Sequence, residues 1–147
     1  MPETFKGRPL LPGDVQGEAA VSRVGFNTLA SYQTSVVLRQ KTATCGDQNN
    51  PDLYRRPLTG KILCLPQTIG STTGGLVIQT VASRGIGPKA MLFSEHIDSL
   101  AAAGVILSDI WLSQRIVVVD QLGAAFLASV HTGDRVIVHA DGTVEVG

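Results

Sequence analysis

Residues Gly70-Ser71-Thr72-Thr73-Gly74-Gly75 lie between a strand-like apolar run at 61–65 and a helix-like run at 76–84. Glycines allow another group to approach the backbone closely, and the N–H groups at the start of a helix favour an anion. Two glycines weaken a helix at the very point where it begins, so something is expected to come close to the backbone there. The stretch predicts a strand-turn-helix unit that presents a serine hydroxyl beside an anionic ligand.

The composition is that of one ordinary globular domain, and we expect a single domain over residues 1–147. The chain is 44% hydrophobic and 16% charged, which is apolar enough for a sizeable core. Twelve basic and twelve acidic residues cancel and are scattered, so neither nucleic acid nor an anionic membrane is an expected partner. The mean hydropathy of +0.20 is high for a free-standing domain, and predicts that another chain covers part of the surface.

The chain has two cysteines, Cys45 in a polar segment and Cys64 in a strand-like run. Neither has a second Cys or His at ligand spacing, so no metal site is expected in this chain. Residues 1–4 lack the basic and apolar regions of a secretion signal, and no run of about 18 apolar residues occurs. We therefore expect a soluble, cytoplasmic protein with reduced cysteines.

The pattern after residue 60 alternates between strands and helices. The predicted strands in this part are 61–65, 90–93 and 116–120, and the predicted helices are 74–84, 97–103 and 121–129. A further strand is predicted earlier in the chain, at 17–21. Such alternation favours parallel pairing with right-handed crossovers, hence an α/β fold. Two runs at 135–139 and 143–146 flank Ala140-Asp141-Gly142, which predicts a C-terminal β-hairpin with Val136 and Val138 on one face.

Three other segments give weaker patterns. Residues 26–38 mix apolar and hydroxyl residues without clear periodicity and are predicted to be extended, while the polar stretch 41–56 is predicted to be a long exposed loop. Residues 105–115 fit either a second helix or a strand followed by a loop. Ser94 is the predicted N-cap of the helix at 97–103, with Asp98 in its first turns.

Several familiar chemistries do not fit the turn. A P-loop requires a lysine after its second glycine, and Gly75 is followed by Leu76. The sequence at 85–90 matches GxGxxA but follows a helix, the reverse of the Rossmann order. Residues 70–74 are one position out of register for a nucleophile elbow.

Two alternatives remain open on the residues alone. One is a serine hydrolase in which His96, His131 or His139 activates Ser71, although none of the three is near Ser71 in sequence. The other is a purely structural turn, because small residues and Ser or Thr are ordinary at the start of a helix.

Four blocks of the chain, in order, resemble the small subunit, or swivel domain, of the aconitase X family. The blocks are Gly7-Arg8-Pro9-Leu10-Leu11-Pro12-Gly13-Asp14-Val15-Gln16-Gly17-Glu18-Ala19, Pro57-Leu58-Thr59-Gly60-Lys61-Ile62-Leu63-Cys64-Leu65-Pro66, the turn at 70–75, and Thr132-Gly133-Asp134-Arg135-Val136. The resemblance covers nearly the whole chain. It implies a swivelling β/β/α domain whose sheet is mixed but largely parallel.

The resemblance also implies a function. The family's small subunit closes over a large subunit that carries an iron or iron–sulfur centre, and together they form a dehydratase. The small subunit supplies a catalytic serine, which falls on Ser71, and the turn residues predicted to bind a small hydroxy-acid substrate are Gly70, Thr72, Thr73 and Gly74. The expected reaction is dehydration of cis-3-hydroxy-L-proline to Δ1-pyrroline-2-carboxylate.

Other functions within or near the family stay possible. They are dehydration of phosphomevalonate, as in archaeal relatives, and a non-catalytic swivel or assembly subunit. A phosphohistidine carrier domain of similar architecture would need a histidine after the turn, and residues 71–84 contain none.

One segment departs from the family pattern. The loop at 42–54 is followed by Tyr54-Arg55-Arg56-Pro57-Leu58, where the family tends to carry a His-Pro-Leu-like element. This departure weakens the substrate assignment. Cys45 lies in the same loop and is predicted to be a solvent-exposed bystander thiol.

Overall fold

A computed structural model describes residues 2–70 and 72–147 of the chain. The strands are β1 (Glu3–Lys6), β2 (Arg8–Leu11), β3 (Val15–Val21), β4 (Phe26–Asn27), β5 (Ile62–Leu65), β6 (Thr68–Ile69), β7 (Ala90–Phe93), β8 (Val117–Asp120), β9 (Arg135–Val138) and β10 (Thr143–Val146). The helices are α1 (Thr28–Val37), α2 (Gly74–Ser83), α3 (Ser99–Leu112) and α4 (Ala124–Ser129). The order confirms the predicted alternation of strands and helices.

Strand β3 joins two differently built parts of one sheet, whose order over the described residues is β1-β10-β9-β3-β5-β7-β8-β2. Residues 15–18 of β3 pair antiparallel with β9, whereas residues 19–21 pair parallel with β5. Parallel pairing continues through β7 and β8. The carboxyl ends of β3, β5, β7 and β8 therefore meet at one edge, where ligands bind in open α/β sheets.

The central strands are buried on both faces, and alternate residues enter two separate cores. Leu63 and Leu65 of β5 pack with helices α1 to α3, while Ile62 and Cys64 face the core shared with β9, β10 and α4. The result is three layers, with antiparallel strands, parallel strands and helices stacked in that order. This arrangement confirms the expected mixed sheet with parallel central strands and a C-terminal hairpin.

The prediction of an extended segment at 26–38 is wrong beyond its first two residues. After β4 the chain forms α1, whose start is capped by the Asn27 side chain accepting a hydrogen bond from the Ala30 N–H at 3.0 Å. The buried face of α1 consists of Thr28, Ser31, Tyr32 and Ser35, a helical spacing. The inward face is built largely from hydroxyl residues, so a search for apolar periodicity does not detect it.

The segment 41–56 is irregular, as predicted, but it is only partly exposed, because five of its residues are buried: Ala43, Cys45, Asp47, Asn50 and Leu53. Asn50 is fully buried, its side-chain amide donating to the Ser22 hydroxyl at 3.0 Å and its Oδ1 accepting from the Leu53 N–H at 3.1 Å. Cys45 is 1% exposed, so the predicted exposed thiol is also wrong. Burial is the main cause that raises the pKa of the Cys45 thiol, which makes it a poor metal ligand and a poor nucleophile.

Helix α3 begins and ends differently from the prediction. Asp98, and not Ser94, is the N-cap, with its Oδ2 accepting a hydrogen bond from the Ala101 N–H at 2.9 Å. The ambiguous segment 105–115 is helical as far as Leu112, and Ser113 ends the helix in a left-handed conformation. In the described part of the chain, none of the helices has the length and apolar character required to cross a membrane.

A buried carboxylate fixes the loop that leads into α3. Asp120 at the end of β8 accepts hydrogen bonds from Arg8 Nε at 2.8 Å, from Arg8 Nη2 at 2.7 Å and from the Ile97 N–H at 2.9 Å. Burial would raise the pKa of Asp120, but the hydrogen bonds and the charge of Arg8 outweigh it and leave the pKa below its usual value. Asp120 thereby ties β2 and β8 to the residue that precedes Asp98.

Replacing Asp120 by Asn is expected to lower the free energy of unfolding by about 2 kcal/mol at neutral pH, because charge-assisted hydrogen bonds are lost. A depressed carboxyl pKa stabilises the fold above the unfolded value near 4, and this stabilisation is lost as the pH falls through the folded value. The difference between wild type and Asp120→Asn should therefore shrink in acid. Urea unfolding at pH 7 and pH 3 measures it, and an equal difference at both would contradict the ion-pair account.

Candidate functional site

The glycine-hydroxyl turn lies at the carboxyl edge of the parallel strands, between β6 and α2. Gly70 has a φ of +102°, and a Cβ added there would lie 2.6 Å from Asn27 Oδ1. Only glycine fits this position, because both the left-handed backbone and the capping side chain of α1 exclude a larger residue. Gly70 therefore packs directly against the capping residue at the start of α1.

The residues after this point form the start of α2. Thr73 is at the N-cap position, its carbonyl accepting from the Val77 N–H at 3.1 Å, and Gly74 is the first helical residue. The predicted substrate-binding residues Thr73 and Gly74 therefore stand at a helix N-terminus, where backbone N–H groups attract an anion. Ser71, the predicted catalytic residue, lies outside the described residues. The roles of Gly70, Ser71, Thr72, Thr73 and Gly74 remain predictions.

A cavity of about 190 Å³ opens between the turn and the start of α3. Its described lining residues are Thr28, Thr68, Ile69, Gly70, Gly74, Ile78, Asp98, Leu100 and Ala101. Asp98 is the one charged side chain in that lining. The Thr68 hydroxyl donates to Asp98 Oδ1, while Oδ2 caps α3, so the carboxylate is held by both elements that border the cavity.

Sequence reasoning missed Thr28, Thr68 and Asp98 as residues of this cavity. Asp98 could have been recognised from the sequence as a candidate site residue, because it follows a predicted parallel strand at the edge where ligands bind. Thr28 and Thr68 could not have been recognised in this way. They come together at the cavity because β4 pairs with β6, and these two strands are more than 40 residues apart in sequence.

Gly75 serves helix packing and not ligand access, which corrects the interpretation of the two consecutive glycines. A Cβ on Gly75 would lie 2.6 Å from the Leu100 carbonyl oxygen, and one on Gly104 would lie 2.6 Å from the Gly75 carbonyl oxygen. Helices α2 and α3 therefore cross with their backbones in direct contact. A Cβ on Gly74 would meet Thr28 Cβ at an ordinary 3.7 Å, so only Gly74 of the pair borders the cavity.

The three histidines proposed as partners of Ser71 lie elsewhere. His96 is beside Arg8, His139 is hydrogen-bonded to Glu145 at 2.5 Å, and His131 is near Asp134, with 3.8 Å between ring and carboxylate. None of them is among the described lining residues of the turn cavity. Nothing in that lining favours the hydrolase alternative.

No group of three or more His, Cys, Asp or Glu side chains in residues 2–70 and 72–147 is arranged to hold a metal ion. Cys64 is fully buried in the core, and burial is the main cause that raises its pKa. The described part of the chain therefore offers hydroxyl groups, one carboxylate and a helix N-terminus at the turn.

Solved structures share this three-layer architecture. The crystal structure of Thermococcus kodakaraensis aconitase X in its holo form superposes with a TM-score of 0.82 at 30% identity, covering 99% of this chain and 98% of that chain. A UPF0107 protein solved by solution NMR gives a TM-score of 0.77 at 27% identity, with 99% of each chain covered. These matches define the class as a swivel domain.

Sequence comparisons give the particular family. The aconitase X swivel domain model matches residues 4–146, and the chain belongs to that family. The phosphomevalonate dehydratase small subunit of Aeropyrum pernix is 31% identical over 97% of this chain and 92% of its own length. That of Pyrococcus furiosus is 34% identical over 72% of this chain and 73% of its own length. The chain is thus a small-subunit form of a dehydratase, a hydro-lyase.

The contact between α2 and α3 predicts that alanine substitutions at two adjacent glycines have opposite effects on the stability of the fold. Gly75→Ala should lower the free energy of unfolding by about 1 to 3 kcal/mol, since the new methyl group forces α2 away from α3. Gly74→Ala is the matched control and should be neutral or stabilising by up to about 1 kcal/mol, because alanine favours a helix. Urea unfolding of both variants tests this, and similar effects would contradict a direct backbone contact.

Proposed function

We propose that this chain is the small subunit of a two-chain hydro-lyase and supplies Ser71 as the base that removes the α-proton of a β-hydroxy acid. The observation that carries the proposal is the match, over nearly the whole chain, to separate dehydratase small subunits. The glycine-hydroxyl turn at the carboxyl edge of the sheet provides the place for this chemistry.

Loss of water from a β-hydroxy acid needs a base for the α-proton and a Lewis acid for the departing hydroxide. An iron or iron–sulfur centre in the large subunit would supply the Lewis acid, since the described residues of this chain hold no ligand set for one. The N–H groups at the start of α2 would hold the substrate carboxylate. This chain would thus orient the acid and accept its proton.

The start of α2 cannot by itself make a serine into a base. A helix N-terminus stabilises an anion by about 0.3 to 2 kcal/mol, and one pKa unit corresponds to about 1.4 kcal/mol. The expected fall in a serine pKa is about one unit, and the carboxylate of Asp98 at the same cavity opposes it. Cationic groups of the large subunit must provide the rest, so the isolated chain should be inactive.

Phosphomevalonate is the first candidate substrate, because curated relatives with near-complete coverage are phosphomevalonate dehydratase small subunits. The second candidate is cis-3-hydroxy-L-proline, which a specific observation favours. The described lining of the turn cavity contains Asp98 but no lysine or arginine, and a carboxylate suits the ammonium group of an amino acid.

The large subunit should dock around the mouth of the turn cavity. Three large apolar side chains there are unusually exposed, Ile69 at 50%, Leu76 at 64% and Leu100 at 41%. Ile69 and Leu100 line the cavity, and Leu76 follows the turn directly. A partner that completes the site must cover this surface, which also removes apolar area from water.

The catalytic proposal predicts that the chain co-expressed with its large subunit dehydrates one of the two candidates, and that Ser71→Ala lowers kcat by at least about a thousandfold while the two chains still co-purify. The reason is that the base is lost while the exposed apolar side chains proposed to bind the large subunit are unchanged. Product formation is followed by mass spectrometry with each substrate separately. Full activity of the Ser71→Ala complex would eliminate the role of Ser71.

The docking proposal predicts that Leu76→Glu disrupts co-purification with the large subunit, because a charge would be buried at the interface. Val37→Glu is the matched control, since Val37 is 69% exposed at the far end of the helical layer. Retention on an affinity tag carried by the large subunit measures both. Equal retention of the two variants would place the interface elsewhere.

A further inference from the structure

A second cavity opens at the carboxyl end of β3 and has a volume of about 290 Å³. Its polar side chains are Arg23, Asp52, Arg56, His131 and Thr132. They come from three segments, the residues after β3, the 41–56 segment and the turn before β9.

Arg23 is held rigidly at this cavity. Its Nη2 donates to the Val130 carbonyl at 2.9 Å, Nη1 donates to the Leu127 carbonyl, and its backbone N–H donates to Asp52 Oδ2 at 2.7 Å. Carbonyl oxygens orient a guanidinium without cancelling its charge. A cation already fixed in place loses little conformational entropy when it binds an anion.

Arg56 carries a positive charge that is not paired with an acidic side chain of the described residues. Its side chain forms no ion pair or hydrogen bond with residues 2–70 or 72–147. The lining thus holds two guanidinium groups against the single carboxylate of Asp52, an excess of one positive charge without any contribution from His131. Asp134 is outside the described lining, and its Oδ2 accepts a hydrogen bond from the His131 N–H at 2.8 Å.

Thr132 adds an oriented hydroxyl. Its Oγ1 accepts a hydrogen bond from the Val21 N–H at 3.0 Å, which leaves the hydroxyl hydrogen available to an acceptor in the cavity. Two guanidinium groups and a hydroxyl donor in the lining of one cavity match the oxygens of a phosphate monoester.

The cavity lies at the same edge of the sheet as the glycine-hydroxyl turn. Strands β3 and β5 are hydrogen-bonded neighbours, so their carboxyl ends are about 5 Å apart. The chain then continues from each strand into β4 and β6, which pair with each other and end at Asn27 and Ile69. The segment after β3 therefore runs from Arg23 to the capping residue beneath Gly70.

We propose that this second cavity binds a phosphate monoester group, and, resting on the proposed function, that it holds the phosphate of a substrate whose hydroxy-acid end reaches the turn. Phosphomevalonate carries its carboxylate and its phosphate at opposite ends of the molecule, which matches two neighbouring anion sites. The described lining of the turn cavity contains no lysine or arginine. The phosphate is therefore not expected to bind at the turn with the hydroxy acid in the second cavity.

Another cationic cluster provides a matched control. Arg39, Lys41 and Arg84 surround a surface depression at the C-terminal ends of α1 and α2, where Arg84 Nη1 donates to the Val36 carbonyl. Cations at helix C-termini are explained by the helix dipole. Arg39→Gln therefore removes the same charge as Arg56→Gln without touching the second cavity.

The binding test is an amide NMR titration of the full chain with inorganic phosphate. We expect saturable shifts at Arg23, Arg56 and Thr132, with the dissociation constant raised about tenfold by Arg56→Gln and unchanged by Arg39→Gln. Non-saturable shifts, or equal weakening by both variants, would overturn the proposal, because they would show general attraction to positive charge.

The second test uses the assembled complex and separates the two proposals. With phosphomevalonate, Arg56→Gln should raise KM about tenfold with little change in kcat, and inorganic phosphate should compete with the substrate. An unchanged KM in an active complex would overturn the cavity assignment and leave the dehydratase proposal standing. Saturable phosphate binding by a complex that dehydrates neither candidate would keep the cavity assignment and reject both candidate substrates.

Discussion

The contact between the backbones of Gly75 and Gly104 is the constraint on which the functional edge of the molecule depends. It lets α2 and α3 cross with their backbones in contact, and residues near the N-termini of both helices line one cavity. Asp98 caps α3 there, and Asp120 in turn holds the residue before Asp98. The turn at 70–75 is thus bordered by two packed helices, and the Asp98 cap beside it is supported in turn by the part-buried ion pair of Asp120 with Arg8.

Local patterns in the sequence were sufficient for the elements that repeat a simple period. The strand at 90–93, the C-terminal hairpin and the helix after the turn follow from apolar alternation, turn residues and a glycine stop, and the structure confirms them. Strands β1 and β2 were not recognised, because each is an edge strand that pairs only with a distant partner, β10 or β8. Helix α1 was missed because its buried face carries hydroxyls instead of aliphatic groups.

The candidate site was predictable only in part, for a similar physical reason. A glycine-hydroxyl cluster between a strand and a helix can be recognised directly, but the purpose of each glycine depends on what lies across from it. Gly70 packs against Asn27 in a left-handed conformation, Gly75 touches another helix, and only Gly74 of the consecutive pair borders the cavity. Likewise, Arg23 and Arg56 are far apart in sequence and share a cavity only because the irregular segment 41–56 folds against the core.

The central claim is that the active site is completed by two chains, with neither sufficient alone. The most direct measurement is the dehydration rate of a fixed amount of purified large subunit as this chain is added from zero to excess. The account predicts no activity in either chain alone, a rise with added small subunit, and saturation at one small subunit per large subunit. Dehydration by the large subunit alone at the full rate would contradict it.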